Sequence, residues 1–142
     1  ELTVTDISSF AIDIAKKNYK KLNCTNKINF IKCDLLKKTE SYDIVVSNPP
    51  YLSKQEYEEA SPEILLYEPK IALFALNDGL QFYTKISSFL PMILSSKSRA
   101  FIEIGSSQGE KTVDIFKHNN INCLEVAKDI HNLNRVLVLN KS

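Results

Sequence analysis

Glycine is scarce in this chain of 142 residues, which contains three glycines, one methionine and no tryptophan. So few glycines argue against a loop that cradles phosphates. The one polar stretch that imitates such a loop, Ser106-Ser107-Gln108-Gly109, has no lysine at the right place. Charge of one sign is lacking as well. With 18 Lys and Arg against 17 Asp and Glu the net charge is +1, so no electrostatic footprint favours nucleic acid. Arginine occurs only at Arg99 and Arg135. No apolar run approaches the ~20 residues of a membrane span, so no membrane partner is expected. No signal-peptide pattern is visible, and residue 1 already lies inside a patterned segment. His118 and His131 have no cysteine or carboxylate at ligand spacing and read as surface residues. Cys24, Cys33 and Cys123 are odd in number and widely spaced. They predict no metal site, but reduced, buried thiols in a cytosol-like, cytoplasmic compartment. With no internal repeat, low-complexity tract or linker, residues 1–142 read as a single domain, long enough to bury roughly two-thirds of its unfolded surface.

Proline, though sparse, is concentrated where it matters. Tyr42 to Tyr51 reads Tyr-Asp-Ile-Val-Val-Ser-Asn-Pro-Pro-Tyr. Ile44 to Ser47 is a short apolar, β-branched run that suits a strand buried on both faces. Asn48-Pro49-Pro50 stops it, because proline cannot donate to a sheet ladder and restricts the residue before it. In open α/β sheets, ligands bind just beyond the carboxyl ends of strands. The Asn48 side-chain oxygen and the Pro49 carbonyl are both acceptors. Held together, they can accept both hydrogens of a planar NH2 group and leave its nitrogen exposed, with the Tyr51 ring as a flat face against it. That suits methylation of an amide or amino nitrogen better than hydrolysis or phosphoryl transfer. The bland alternative is a proline turn that Asn48 merely starts.

Along the chain, Leu2 to Thr5 reads as a strand with Asp6 at its end. Ser8 is a candidate N-cap for an amphipathic helix from about Ser9 to Leu22, with Ala11, Ile14, Ala15, Tyr19 and Leu22 at helical spacing. Ile28 to Cys33 is a second strand ending at Asp34, Leu35 to Ser41 a linker, and Tyr42 to Ser47 the third strand. Leu52 to Leu66 predicts a partly helical flap, and Tyr67 to Leu76 an extended apolar continuation. Asn77-Asp78-Gly79 is a turn, with Asp78 as N-cap of a helix that carries Leu80, Tyr83, Ile86 and Leu90 and is interrupted at Pro91, with a further turn over Met92 to Leu94. Arg99 to Ile104 is the fourth strand and Gly109 to His118 a helix with Val113 and Phe116 inward. Ile121 to Val126 and Val136 to Leu139 are the last strands, joined by too short a connection for a crossover, so they should pair antiparallel. A strand, helix and strand pattern with Asp or Asn after each strand predicts an α/β, doubly wound sheet.

The motif Asn48-Pro49-Pro50-Tyr51 after a buried strand resembles that of class I, S-adenosylmethionine-dependent methyltransferases acting on nitrogen in planar groups. Further stretches narrow the resemblance: Val4 to Ser8 with Ala11 and Ala15 to Asn18; Phe30 to Leu35; Tyr67-Glu68-Pro69, Ala72-Leu73, Asp78-Gly79-Leu80 and Tyr83; Glu103-Ile104-Gly105, Gln108-Gly109, Asp129 and Arg135-Val136. In that order they are similar to HemK-like protein-glutamine methyltransferases over nearly the whole chain. The resemblance implies an enzyme that uses S-adenosylmethionine to methylate the glutamine amide in the Gly-Gly-Gln loop of peptide-chain release factors, with no direct nucleic-acid partner. Asn48 and the Pro49 carbonyl would hold the amide, with Pro50 and Tyr51 shaping the pocket. Asp6, with Ile7 beside it, would take the cofactor ribose hydroxyls. Asp34 would bind the adenine amino group, Leu35 would cover the ring, and Asn48 would border the cofactor too. Methyl transfer is an in-line displacement that needs alignment more than a strong base, which fits a loop without His or Cys.

The resemblance also implies a Rossmann-like sheet of order 3-2-1-4-5-7-6, mostly parallel, with an antiparallel C-terminal strand pair. The family's Gly-rich segment and first, central strand have no counterpart here, nor does its N-terminal helical domain. The expectation is therefore an incomplete catalytic domain, a fragment of a longer protein or a degraded copy, with weak or no cofactor binding on its own. Ser95 to Ser98 stand where the family has a Gly-Gly turn. Asp6 and Asp34 could otherwise be turn formers, and Glu68 could shape the pocket or tie down the flap. Glu103 reads as structural, and Asp129 with Arg135 as a structural pair. Two alternatives remain: a methyltransferase of adenine or another nucleic-acid amine, and a non-catalytic remnant serving as an interaction module.

Overall fold

The computed structural model describes residues 1–34 and 41–142. The chain divides into two compact units, Glu1–Lys38 and Thr39–Ser142. In the first, β1 (Leu2–Asp6) pairs parallel with β2 (Ile28–Lys32). Between them runs α1 (Ser9–Lys21), where Ser8 accepts a hydrogen bond from the Ala11 N–H as the expected N-cap. Ile12 is its buried anchor, and Tyr19 meets Phe30 edge to face with centroids 6.0 Å apart.

The second unit holds a four-stranded sheet of order β3-β4-β6-β5, from β3 (Tyr42–Ser47), β4 (Leu94–Glu103), β5 (Ile121–Lys128) and β6 (Asn134–Lys141). β3 runs parallel to β4, while β6 is antiparallel to both β4 and β5. This is the 4-5-7-6 half of the expected order, and β2-β1 is its 3-2 pair. α5 (Gln81–Ile93) and α6 (Gly109–Lys117) supply the helical layer. The core lies on one face of the sheet. Ala100 and Ile102 on β4, Leu137 and Leu139 on β6, and Ile121 on β5 are buried together with Tyr83, Ile86, Leu90 and Ile93 of α5 and Phe116 of α6. On the opposite face, Ile44 is 63% and Val46 76% exposed. The expectation of a strand buried on both faces is corrected here. From Ile44 to Ser47 the burial alternates, with Val45 and Ser47 half-buried and Ile44 and Val46 exposed.

Other departures have local causes. The segment after the flap is not extended. After α2 (Lys54–Glu58) come α3 (Pro62–Tyr67), with Pro62 in its first turn, and one more turn, α4 (Lys70–Leu73). Phe74 then forms an isolated parallel bridge with Leu52. Asp78 does not cap α5, because Asn77, Asp78 and Gly79 all have positive φ (54°, 53° and 82°) and Leu80 takes the cap position without a side-chain bond. Pro91 does not interrupt α5, which runs through it to Ile93 and so includes most of the further turn expected beyond it. Ser95 to Ser98 do not form the turn expected before the fourth strand but lie within β4, where the register with β3 jumps from Leu94 to Arg99 and Ser98 Oγ accepts from the Ser95 N–H. The cysteines are not buried; Cys24 is exposed and Cys33 and Cys123 are partly exposed, and none of the three is in a disulfide. Among the described residues no helix is long and apolar enough to cross a membrane.

Candidate active site

β3 ends at Ser47, and the chain turns into the proline loop. Pro49 is buried, Pro50 and Tyr51 are half-buried, and Asn48 is exposed at the carboxyl end of the strand. The loop is anchored immediately afterwards. The Leu52 N–H donates to the Leu73 carbonyl and the Ala75 N–H to the Leu52 carbonyl, both at 2.9 Å. Ser53 then opens α2 with a capping box: Glu56 N–H donates to Ser53 Oγ at 3.2 Å, and Ser53 N–H to Glu56 Oε2 at 2.8 Å. Stiff prolines on one side and a capped helix on the other leave Tyr51 little freedom.

The Tyr51 ring is fixed at its far end. Its hydroxyl donates to Glu103 Oε1 at 3.2 Å. Burial, and then the Glu103 charge, push the Tyr51 phenol above its ordinary value, so it remains a neutral donor; the Arg135 charge pulls the other way. Glu103 is the last residue of β4 and only partly buried. It stands in register with Val136, next to Arg135 on β6. Arg135 Nε and Nη2 reach Asp129 Oδ2 at 3.3 and 3.1 Å. Asp129 Oδ1 also accepts from the backbone N–H groups of His131 and Leu133. The Leu133 bond is the main cause, ahead of the Arg135 guanidinium, that holds the Asp129 carboxyl below the usual range. Asp129 and Arg135 are the structural pair expected from the sequence, and Glu103 has a definite partner in the candidate site. Glu68 is exposed and closes α3 at its C-cap.

Sequence reasoning missed Gln108. Read as part of a polar loop, its side chain is only 6% exposed. Nε2 donates to the Tyr51 carbonyl at 3.0 Å and to the Asp78 carbonyl at 3.3 Å. Oε1 accepts from the Tyr83 hydroxyl and the Gly105 N–H, each at 3.1 Å. Gly79 leaves room for this: a Cβ there would collide with the Tyr51 carbonyl and the Gln108 amide. A signal was present in the sequence, since a glutamine between Gly105 and Gly109 suggests close backbone approach. An open groove beside this point is lined by Ser53, Glu56, Asp78, Ser107, Gln108 and Lys111, among others.

In the first unit, Asp6 and Asp34 lie at the carboxyl ends of neighbouring parallel strands. The Cys33 N–H donates to the Asp6 carbonyl at 3.0 Å, which brings the two strand ends together. Asp6 Oδ1 accepts from the Ser8 N–H at 2.7 Å, so this carboxylate also shapes the turn into α1. Asp6, Ile7 and Asp34 are exposed. Leu35 lies outside the described residues.

The methyltransferase small domain model matches residues 1–95, which reach from β1 through the proline loop to the start of β4. Among curated proteins, the chain is 40% identical over 144 residues to a release factor glutamine methyltransferase of Fusobacterium nucleatum, covering 99% of this chain and 40% of that protein. It is 40% identical over 135 residues to a bifunctional methyltransferase of Rickettsia typhi, covering 94% of this chain and 26% of that one. The chain thus spans less than half the length of both relatives. A methyltransferase from Pyrococcus furiosus superposes with a TM-score of 0.70 at 12% identity, over 98% of this chain and 61% of that one, a likeness of fold. Sequence model and fold agree, and the chain belongs to the methyltransferase small domain family.

Proposed function

We propose that, in the full-length protein, this chain serves transfer of a methyl group from S-adenosylmethionine to the side-chain amide nitrogen of glutamine in the Gly-Gly-Gln loop of peptide-chain release factors. The observation that carries the proposal is the exposed Asn48 beside the buried Pro49 at a strand's carboxyl end, with Tyr51 held by Glu103 and Gln108. Asn48 Oδ1 and the Pro49 carbonyl accept the two amide hydrogens and turn the nitrogen lone pair outward. Pro50 and the Tyr51 ring give the planar group a flat wall. The name of the Fusobacterium relative supports glutamine as the acceptor.

The first unit fits the cofactor by its donor set. Two exposed carboxylates at adjacent strand ends suit hydroxyl and amino groups, which are hydrogen-bond donors. Asp6, flanked by Ile7, holds the ribose hydroxyls, and Asp34 the adenine amino group. Leu35 is assigned to the ring on sequence alone, and Asn48 also borders the cofactor. S-adenosylmethionine, when bound, supplies the methyl group as a sulfonium electrophile. Because the family match runs across both units, we place both in one catalytic domain, and the reading carries with it a cytoplasmic location.

Incubating the full-length protein and labelled S-adenosylmethionine with a Gly-Gly-Gln peptide, and separately with an adenine-containing duplex, tests this reading. Label on the peptide glutamine is expected. Label on the duplex alone would replace it with nucleic-acid methylation, and label on neither would leave a non-catalytic module.

A further inference from the structure

Gln108 ties together four backbone segments with one buried amide: the proline loop at Tyr51, the turn at Asp78, α5 at Tyr83 and the end of β4 at Gly105. All four bonds have a fixed sense. Both donors face carbonyls, and the oxygen faces two donors, so a flipped amide would set its NH2 against the Gly105 N–H and the Tyr83 hydroxyl. Tyr83 is fully buried, and burial pushes its phenol well above the ordinary value, so it stays a donor. Gly79, at φ +82°, admits the arrangement by having no side chain. Such a network, fully satisfied, rigidifies the groups it joins.

We infer that Gln108 is a positioning residue for the acceptor loop. By gripping the Tyr51 carbonyl it sets the backbone from Asn48 to Tyr51, and with it the direction of the acceptor groups, without itself touching the substrate. The inference rests on the reading of this loop as the acceptor site. It separates Gln108 from an ordinary buried tie, because the bond it makes to the loop is to the one residue whose hydroxyl is fixed separately by Glu103. Tyr51 is thus held at both ends, and loss of the carbonyl grip leaves the ring tethered but the preceding backbone free to shift. A displacement on the order of 1 Å at a reacting group can cost up to about a hundredfold in rate.

The test compares Gln108→Ala and Gln108→Glu with the parent in the full-length protein. Glutamate keeps the volume and the bonds from Gly105 and Tyr83, but as a carboxylate it offers no donor to Tyr51 or Asp78. Residue-resolved amide exchange, without substrate, should quicken on the order of tenfold or more at Leu52 and Ala75. Amides of Ile102 and Leu137 in the sheet should stay within about twofold. Unchanged exchange at Leu52 and Ala75, or equal acceleration everywhere, would overturn the inference. On a Gly-Gly-Gln peptide, kcat should fall on the order of ten- to a hundredfold, with a much smaller change in KM. In Gln108→Glu the deficit should shrink as pH is lowered, because burial raises a carboxyl's pKa, so the group takes up a proton as pH falls and regains one donor. A loosened loop with kcat intact would equally refute positioning. If the parent itself leaves the peptide unmethylated, the proposed function fails, and the exchange result alone then decides whether Gln108 holds the loop.

Discussion

Gly79→Ala is the substitution that the packing behind the proline loop should tolerate least. Gly79 has φ +82°, and an added Cβ would meet the Tyr51 carbonyl and the Gln108 amide. Left-handed backbone costs an alanine about 1–2 kcal/mol. Displacing Gln108 forfeits its bonds to the Tyr51 and Asp78 carbonyls, each worth about 1 kcal/mol net. Together these amount to about 3–4 kcal/mol. With a urea m-value of about 2 kcal/mol/M, the unfolding midpoint should drop by about 1.5–2 M. Urea titrations followed by far-ultraviolet circular dichroism measure this. Asn77→Gly, next to it at φ 54°, is the control, since glycine relieves strain there without entering the Gln108 cluster; its midpoint should stay within about 0.3 M. A Gly79→Ala midpoint equally close to the parent would refute the close approach of Gly79 to the loop.

Ser8→Ala should cost about 1 kcal/mol through loss of the α1 N-cap bond to Ala11, read as faster amide exchange in the first turn of that helix. Glu103→Gln should lower the Tyr51 phenol toward its ordinary value by removing a charge that disfavours the phenolate. Burial, the larger cause, should keep it above that value, as carbon-13 tyrosine spectra across alkaline pH would show. Asp129 is depressed in the folded state. Its contribution to stability is therefore present above the unfolded value near pH 4 and is lost as pH falls through the folded value. Asp129→Asn should consequently destabilise at neutral pH, and the gap to the parent should close below about pH 4 in acid-unfolding curves.

Much of this architecture is written locally. Ser8 and the run from Ala11 to Leu22 announce α1 because a cap and a 3.6-residue period are short-range signals. The connection from Asp129 to Asn134 forces β5 and β6 antiparallel because no crossover fits. The proline loop is legible for the same reason, as two adjacent prolines stop a strand wherever they occur. The contacts that hold the loop are of another kind. Glu103 lies 52 residues and Gln108 57 residues from Tyr51, and no local pattern couples them. The error at Ile71 to Leu76 arose because an apolar run shorter than two helical turns carries no readable period. Ile44 and Val46 misled for a similar reason: β-branching marks a strand and says nothing about which face is covered.

The central claim is that the loop from Asn48 to Tyr51 presents acceptors to a planar amide nitrogen. Asn48→Ala tests it most directly, in the full-length protein, with kcat measured on a Gly-Gly-Gln peptide at saturating S-adenosylmethionine. The expected result is a fall on the order of 10²–10³, as for one lost preorganised hydrogen-bonding group. Turnover equal to the parent's would contradict the role assigned to Asn48, and with it the reading of the loop.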